Sequence, residues 1–81
     1  MQFVRMTPGH GDLLLAEGDR ELAEDEERLV EEFRRQLELG MCAVVPHEER
    51  NGRREATMVR YFDEVPRDAE RVIFFPAAAG G

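Results

Sequence analysis

Apolar positions along this chain follow two different rhythms. Residues 2–7 (Gln-Phe-Val-Arg-Met-Thr) and 12–17 (Asp-Leu-Leu-Leu-Ala-Glu) are short apolar-rich runs that read as two strands. Pro8-Gly9-His10-Gly11 between them supplies turn chemistry, and Gly18-Asp19 ends the hairpin. Over residues 24–39 the rhythm changes. Leu29, Val30, Phe33 and Leu37 recur at i, i+1, i+4 and i+8, the stripe of a surface helix that faces a sheet. Glu24, Asp25, Glu26 and Glu27 crowd its first turn while Arg34 and Arg35 lie nearer its end, as the helix dipole favours. Gly40 is a natural stop.

Residues 41–45 (Met-Cys-Ala-Val-Val) form a third strand closed by Pro46. Asn51-Gly52, inside the polar run 48–54, is a hairpin-turn dipeptide leading into a fourth strand over residues 55–62. Residues 63–70, with Pro66, are a connection with room for a helical turn. The last strand, Arg71-Val72-Ile73-Phe74-Phe75, is the most apolar and therefore belongs at the centre of the sheet. Pro76 has no N–H, so pairing is expected to stop there. The order β-β-α-β-β-β predicts an α+β chain, with a mixed sheet of four to five strands and one main helix on one face. Residues 1–76 are expected to make a single domain and residues 77–81 a flexible Ala/Gly tail.

One helix cannot cover both faces of a sheet. By the period-two rule Val72 and Phe74 point one way and Ile73 and Phe75 the other. If the first pair meets the helix, Ile73 and Phe75 lie on the open face, as a partner-docking patch or as a surface covered by edge loops or a dimer mate.

With 81 residues, a chain buries only about 60–65% of its unfolded surface, which favours a carrier or binder over a stand-alone enzyme. A composition 42% hydrophobic and 36% charged is globular. No apolar run approaches the roughly 20 residues of a membrane span and the start lacks the plan of a signal peptide, so a cytoplasmic location is expected. The net charge of −7 argues against nucleic-acid binding and suits docking onto a basic surface.

The single cysteine, Cys42, excludes an internal disulfide and is expected as a core thiol. His47 lies beyond a proline from it, and His10 reads as a turn residue. No spacing suggests a metal site, and Gly9-x-Gly11 lacks the third glycine of a dinucleotide fingerprint. Arg50, Arg53 and Arg54 make one loop locally basic, either a solvated tip or an anion or partner contact. All eleven basic residues are arginine, the mark of a GC-rich codon bias. A consequence is that no side-chain amine exists for an activated acyl group to modify.

After Pro76 the chain runs Ala77-Ala78-Ala79-Gly80-Gly81, a thread with almost no side-chain bulk that could enter a narrow channel. A carboxylate is a poor electrophile until activated, and an enzyme that brings ATP against the last carbonyl needs small residues there. The run from Asp68 to Pro76 followed by Ala-Ala-Ala-Gly-Gly resembles the end of the ubiquitin-like sulfur carriers: the molybdopterin-synthase small subunit, the thiamine-pathway sulfur carrier and their relatives. Asp68-Ala69 stands where that family usually has Asp-Gly, and alanines stand where Pro-Val is common. The resemblance implies a β-grasp fold and no catalytic residues or bound cofactor of the chain's own. It implies that an E1-like partner uses ATP to adenylate the Gly81 carboxylate, with Gly80 beside it and Pro76, Ala77, Ala78 and Ala79 threading into that partner. The product would be a thiocarboxylate for a sulfur-accepting synthase, or a conjugate with a target amine. The alternative is a non-conjugated interaction module, for instance of a phage or mobile-element assembly. A hydrolase or metal enzyme finds no triad or ligand set in two isolated histidines and one cysteine.

Overall fold

The structure, a computed structural model, describes residues 1–7, 9, 11–47 and 55–77. In chain order it forms β1 (Gln2–Thr7), β2 (Gly11–Glu17), α1 (Ala23–Glu38), β3 (Met41–Pro46), β4 (Ala56–Val59), a 3-10 turn (Phe62–Glu64) and β5 (Arg71–Pro76). The strands make one five-stranded mixed sheet in the order β2-β1-β5-β3-β4, with α1 packed against it. β5 is the middle strand, parallel to β1 (Phe3 opposite Val72) and antiparallel to β3 (Ala43 opposite Phe74). The most apolar strand thus lies where both of its edges are paired. The β1–β2 turn depends on glycine, with φ of 80° at Gly9 and 74° at Gly11.

The core fills the space between α1 and one face of the sheet. Phe3, Ala43, Val45, Val59, Val72 and Phe74 point from the strands, Leu29 and Phe33 from the helix, and Val65 from the loop before β5. Phe74 meets Phe3 and Phe33 edge-on, with ring centroids 5.3 and 5.7 Å apart. Each such contact adds about 0.5–1.5 kcal/mol beyond the area it buries.

The helix is rotated slightly from the expected stripe. Leu29, Phe33 and Gln36 are buried, at i, i+4 and i+7, while Val30 and Leu37 are half-buried at the flank. Gln36 therefore occupies a core position that a polarity pattern assigns to solvent. Leu22, at the N-cap, offers no side-chain acceptor. Asp25 serves the entry to the helix instead, accepting the Asp19 N–H at 2.8 Å and Arg28 Nη2 at 2.5 Å. At the other end Gly40 adopts φ 89° and donates its N–H to the Leu37 carbonyl.

β4 is shorter than the expected 55–62, ending at Val59. Beyond it Glu64 Oε1 accepts the N–H groups of Arg60 and Tyr61 at 2.8 and 3.0 Å, winding the chain into the 3-10 turn. That turn carries Phe62 to the edge of the core, against Phe3 and Phe33. No helix among the described residues is long and apolar enough to cross a membrane.

Candidate functional site: the open sheet face and the start of the tail

Parity along β5 divides its side chains between two environments. Val72 and Phe74 are fully buried under the helix, whereas Ile73 and Phe75 are half-buried on the opposite face. The same parity operates on each neighbour, and the registers bring the outward residues into line. Leu14 pairs with Val4, Val4 with Ile73, Ile73 with Val44, and Val44 with Met58. One apolar row therefore crosses all five strands. Its ends are the open part, with Leu14 and Met58 each 54% exposed, while Val4 is shielded by its neighbours.

A second row, nearer the end of β5, contains Phe75 with Cys42 opposite it on β3. Met6, on β1 two residues beyond Val4 and on the same face, is half exposed. Cys42 is thus not the core thiol expected from its composition. Ala43 and Val45 take the helix-facing positions, so alternation turns Cys42 to the open face, where it is half-buried.

β5 and its ladder end at Pro76, as expected, with one backbone bond beyond it. Pro76 stands opposite Met41, and the Ala77 N–H donates to the Gly40 carbonyl at 3.3 Å. Proline removes only its own donor, and the next residue restores one. Pro76 and Ala77 are exposed residues at the end of the sheet. Residues 78–81, including Ala78, Ala79, Gly80 and Gly81, lie outside the described residues, as do His10 and the loop carrying Arg50, Asn51, Gly52, Arg53 and Arg54.

Among the described residues three ion pairs cluster around the entry to the helix. Asp25 is held below the ordinary aspartate range by the Asp19 N–H and then by the Arg28 guanidinium. Glu26 lies 3.5 Å from Arg20 Nε and Glu21 lies 3.6 Å from Arg67. Asp25 and Glu26 of the acidic helix entry are in this way matched by arginines, and no group of metal-ligand side chains gathers among the described residues. His47 Nε2 is hydrogen-bonded to the Thr57 hydroxyl at the surface. A polar cleft of about 780 Å³ beside His47 is lined also by Asp68, Glu70 and Arg71, at the end of the sheet opposite Ala77.

Sequence reasoning found Ile73 and Phe75 but missed Leu14, Val4, Val44, Met58 and Met6, which extend them into a surface. Alternation was visible in each strand, but only the pairing registers show that the outward residues are neighbours. Comparison with protein-family models, curated proteins and solved structures finds no match to this chain.

Proposed function

We propose that this chain is a ubiquitin-like β-grasp carrier or modifier, whose Gly81 carboxylate is adenylated by an E1-like enzyme. The β-grasp reading is supported by the helix between β2 and β3 and by the parallel pairing of the first and last strands at the centre of the sheet. The functional reading is supported chiefly by one observation. The central strand runs off the end of the sheet through Pro76 and Ala77, directly into the small-residue tail, beside an apolar face that carries Ile73 and Phe75.

Activation joins a Gly81 carboxylate oxygen to the α-phosphorus of ATP and expels pyrophosphate. The acyl carbon of the adenylate is then attacked by hydrosulfide, giving a thiocarboxylate, or by a target amine, giving an amide; the nucleophile's proton passes to solvent and AMP leaves with the bonding electrons. Neither step needs a side chain of this protein as acid, base or nucleophile. Its own contribution is to present the carboxylate on a thin thread and to dock the body beside the activating site. Ile73 and Phe75, with Val44 and Met58 next to them, are the surface the partner would hold, and the tail is the part it would thread.

The test is ATP–pyrophosphate exchange by an E1-like enzyme from the same source, with the intact chain, a chain lacking Gly81, and one extended by several residues. Exchange that depends on the intact chain and is lost in both variants supports the reading. Equal exchange with and without Gly81 excludes it. An extended chain that retains full biological activity would favour the interaction module, in which the tail is never activated.

A further inference from the structure

The two edges of the sheet are not alike. β4 spans four residues, whereas β2 spans seven and pairs with β1 alone among the described residues. An unpaired edge offers a row of free N–H and C=O groups, and proteins commonly blunt it with proline, lysine, a β-bulge or brevity. β2 (Gly-Asp-Leu-Leu-Leu-Ala-Glu) carries no proline and no cation, and its charges, Asp12 and Glu17, sit towards its ends. An irregularity opposite Phe3 and Val4 accommodates Leu15 as an extra residue, yet the strand stays continuous from Gly11 to Glu17. Leu13 and Leu14 are 55% and 54% exposed, a large apolar exposure for neighbouring residues of one strand.

We propose that β2 pairs antiparallel with β2 of a second copy of this chain, joining two sheets into one. The strand is self-complementary in the register centred on Leu14. Leu14 then faces its own copy and Leu13 faces Leu15, so all three leucines meet leucines. The extra residue at Leu15 reverses the alternation beyond it, leaving Ala16 on the helix face opposite Phe3 while Asp12 shares the open face with Leu14. Regular pairing is therefore confined to residues 13–15, and Asp12 and Glu17 fall outside it, with no acid facing an acid. The two-fold axis of such a pair stands perpendicular to the sheet and keeps both helices on one face. The apolar row from Leu14 to Met58 continues through the axis into the copy. β5 lies two strands in from the shared edge, so each Ala77 stays clear of the contact.

A single strand pair is small beside the roughly 1,600 Å² of a standard interface, so the dimer is a weak and reversible one. This inference does not depend on activation of the tail.

The test is sedimentation equilibrium of the full chain from micromolar to millimolar concentration, together with amide hydrogen exchange at both extremes. A monomer–dimer equilibrium is expected, with at least tenfold slower exchange of β2 edge amides in the concentrated sample. Leu14→Lys sets two ammonium groups face to face and should weaken dimerisation at least tenfold, while Met58→Lys on the opposite edge should leave it unchanged. A chain that remains monomeric throughout, or β2 exchange that does not respond to concentration, overturns the proposal even if a variant fails to fold. So does a dimer broken by Met58→Lys and indifferent to Leu14→Lys, which would place the contact on the open face.

Discussion

The guanidinium of Arg20 lies over the ring of Phe62, its central carbon 4.5 Å from the ring centroid. This side chain is only 8% exposed, donates through Nη1 to the Val65 carbonyl at 2.5 Å, and lies within ion-pair distance of Glu26. It ties the loop before the helix to the 3-10 turn before β5, two segments that no ladder joins. Arg20→Ala should destabilise the chain by about 2–3 kcal/mol through lost packing, cation–π contact and hydrogen bond together. Arg20→Lys should recover less than half of that, because a point charge cannot both stack and donate in a fixed direction. Urea unfolding followed by circular dichroism gives both values, and a fully tolerated lysine would show that charge alone matters.

Gln36 is 4% exposed, and its Oε1 has no hydrogen-bond partner among the described residues while Nε2 donates to Glu32 at 3.0 Å. An orphaned buried acceptor costs about 1–3 kcal/mol. Gln36→Met keeps the side-chain length and removes the orphan, and Glu32, being half-exposed, can turn to water. The expected outcome is a higher urea midpoint, equivalent to about 1 kcal/mol. A lower midpoint would mean that the amide satisfies a group in solution.

Phe74 and Phe75 are adjacent in sequence and unequal in structure. Phe74→Ala removes the ring that both Phe3 and Phe33 meet and should cost about 3–5 kcal/mol, enough to leave so small a chain largely unfolded. Phe75→Ala, on the half-covered face, should cost about 1 kcal/mol and leave the circular-dichroism spectrum unchanged. If the proposed docking is right, the same variant raises the KM for the activating enzyme with little change in kcat. Equal destabilisation by the two substitutions would contradict the division of faces.

The Asp25 carboxyl is depressed by the Asp19 N–H and by Arg28, and the sign of the consequence is definite. A carboxylate whose folded pKa lies below its unfolded one adds stability above the unfolded value, and that stability is lost as pH falls through the folded value. Asp25→Asn should therefore narrow the difference between neutral and acidic stability. A carboxyl NMR titration should place Asp25 below an ordinary aspartate. Gly18 packs so closely that an added Cβ would come within 3.0 Å of Asp25 Cβ. Gly18→Ala should push the carboxylate off the Asp19 N–H and return its titration towards the ordinary range.

Much of the fold was legible because the local signals agree. The helix expected over 24–39 is found at Ala23–Glu38, and the glycine expected to stop it does so with a positive φ. The strand expected to be central is central. Two expectations were overturned: Cys42 reads as a core thiol and faces outwards, and the fourth strand stops at Val59 before Tyr61 and Phe62. Gln36, absent from the expected stripe, is buried. The burial of Gln36 and the turning of Cys42 were decided by elements distant in the chain, the rotation of the helix against the sheet and the parity imposed on β3 by its neighbours. The fourth strand, by contrast, is cut short locally, by the grip of Glu64 on the N–H groups of Arg60 and Tyr61. The candidate site was legible to the same extent. Ile73 and Phe75 could be named from alternation, but the residues beside them could not.

By itself the sequence determined which segments are strands and which is a helix, that the most apolar strand would seek the interior, and that a tail without bulk follows it. Those properties rest on neighbours within a few residues, where periodicity, turn chemistry and side-chain size act directly. Tertiary structure alone decided that Leu14, Val4, Ile73, Val44 and Met58 form one row, that Ala77 bonds back to Gly40 beyond the last strand, and that β2 is, among the described residues, the long edge paired on one side only. The physical reason is that register and strand order are fixed by the joint packing of all five strands against one helix, and a shift of one residue in any strand would turn its outward side chains in.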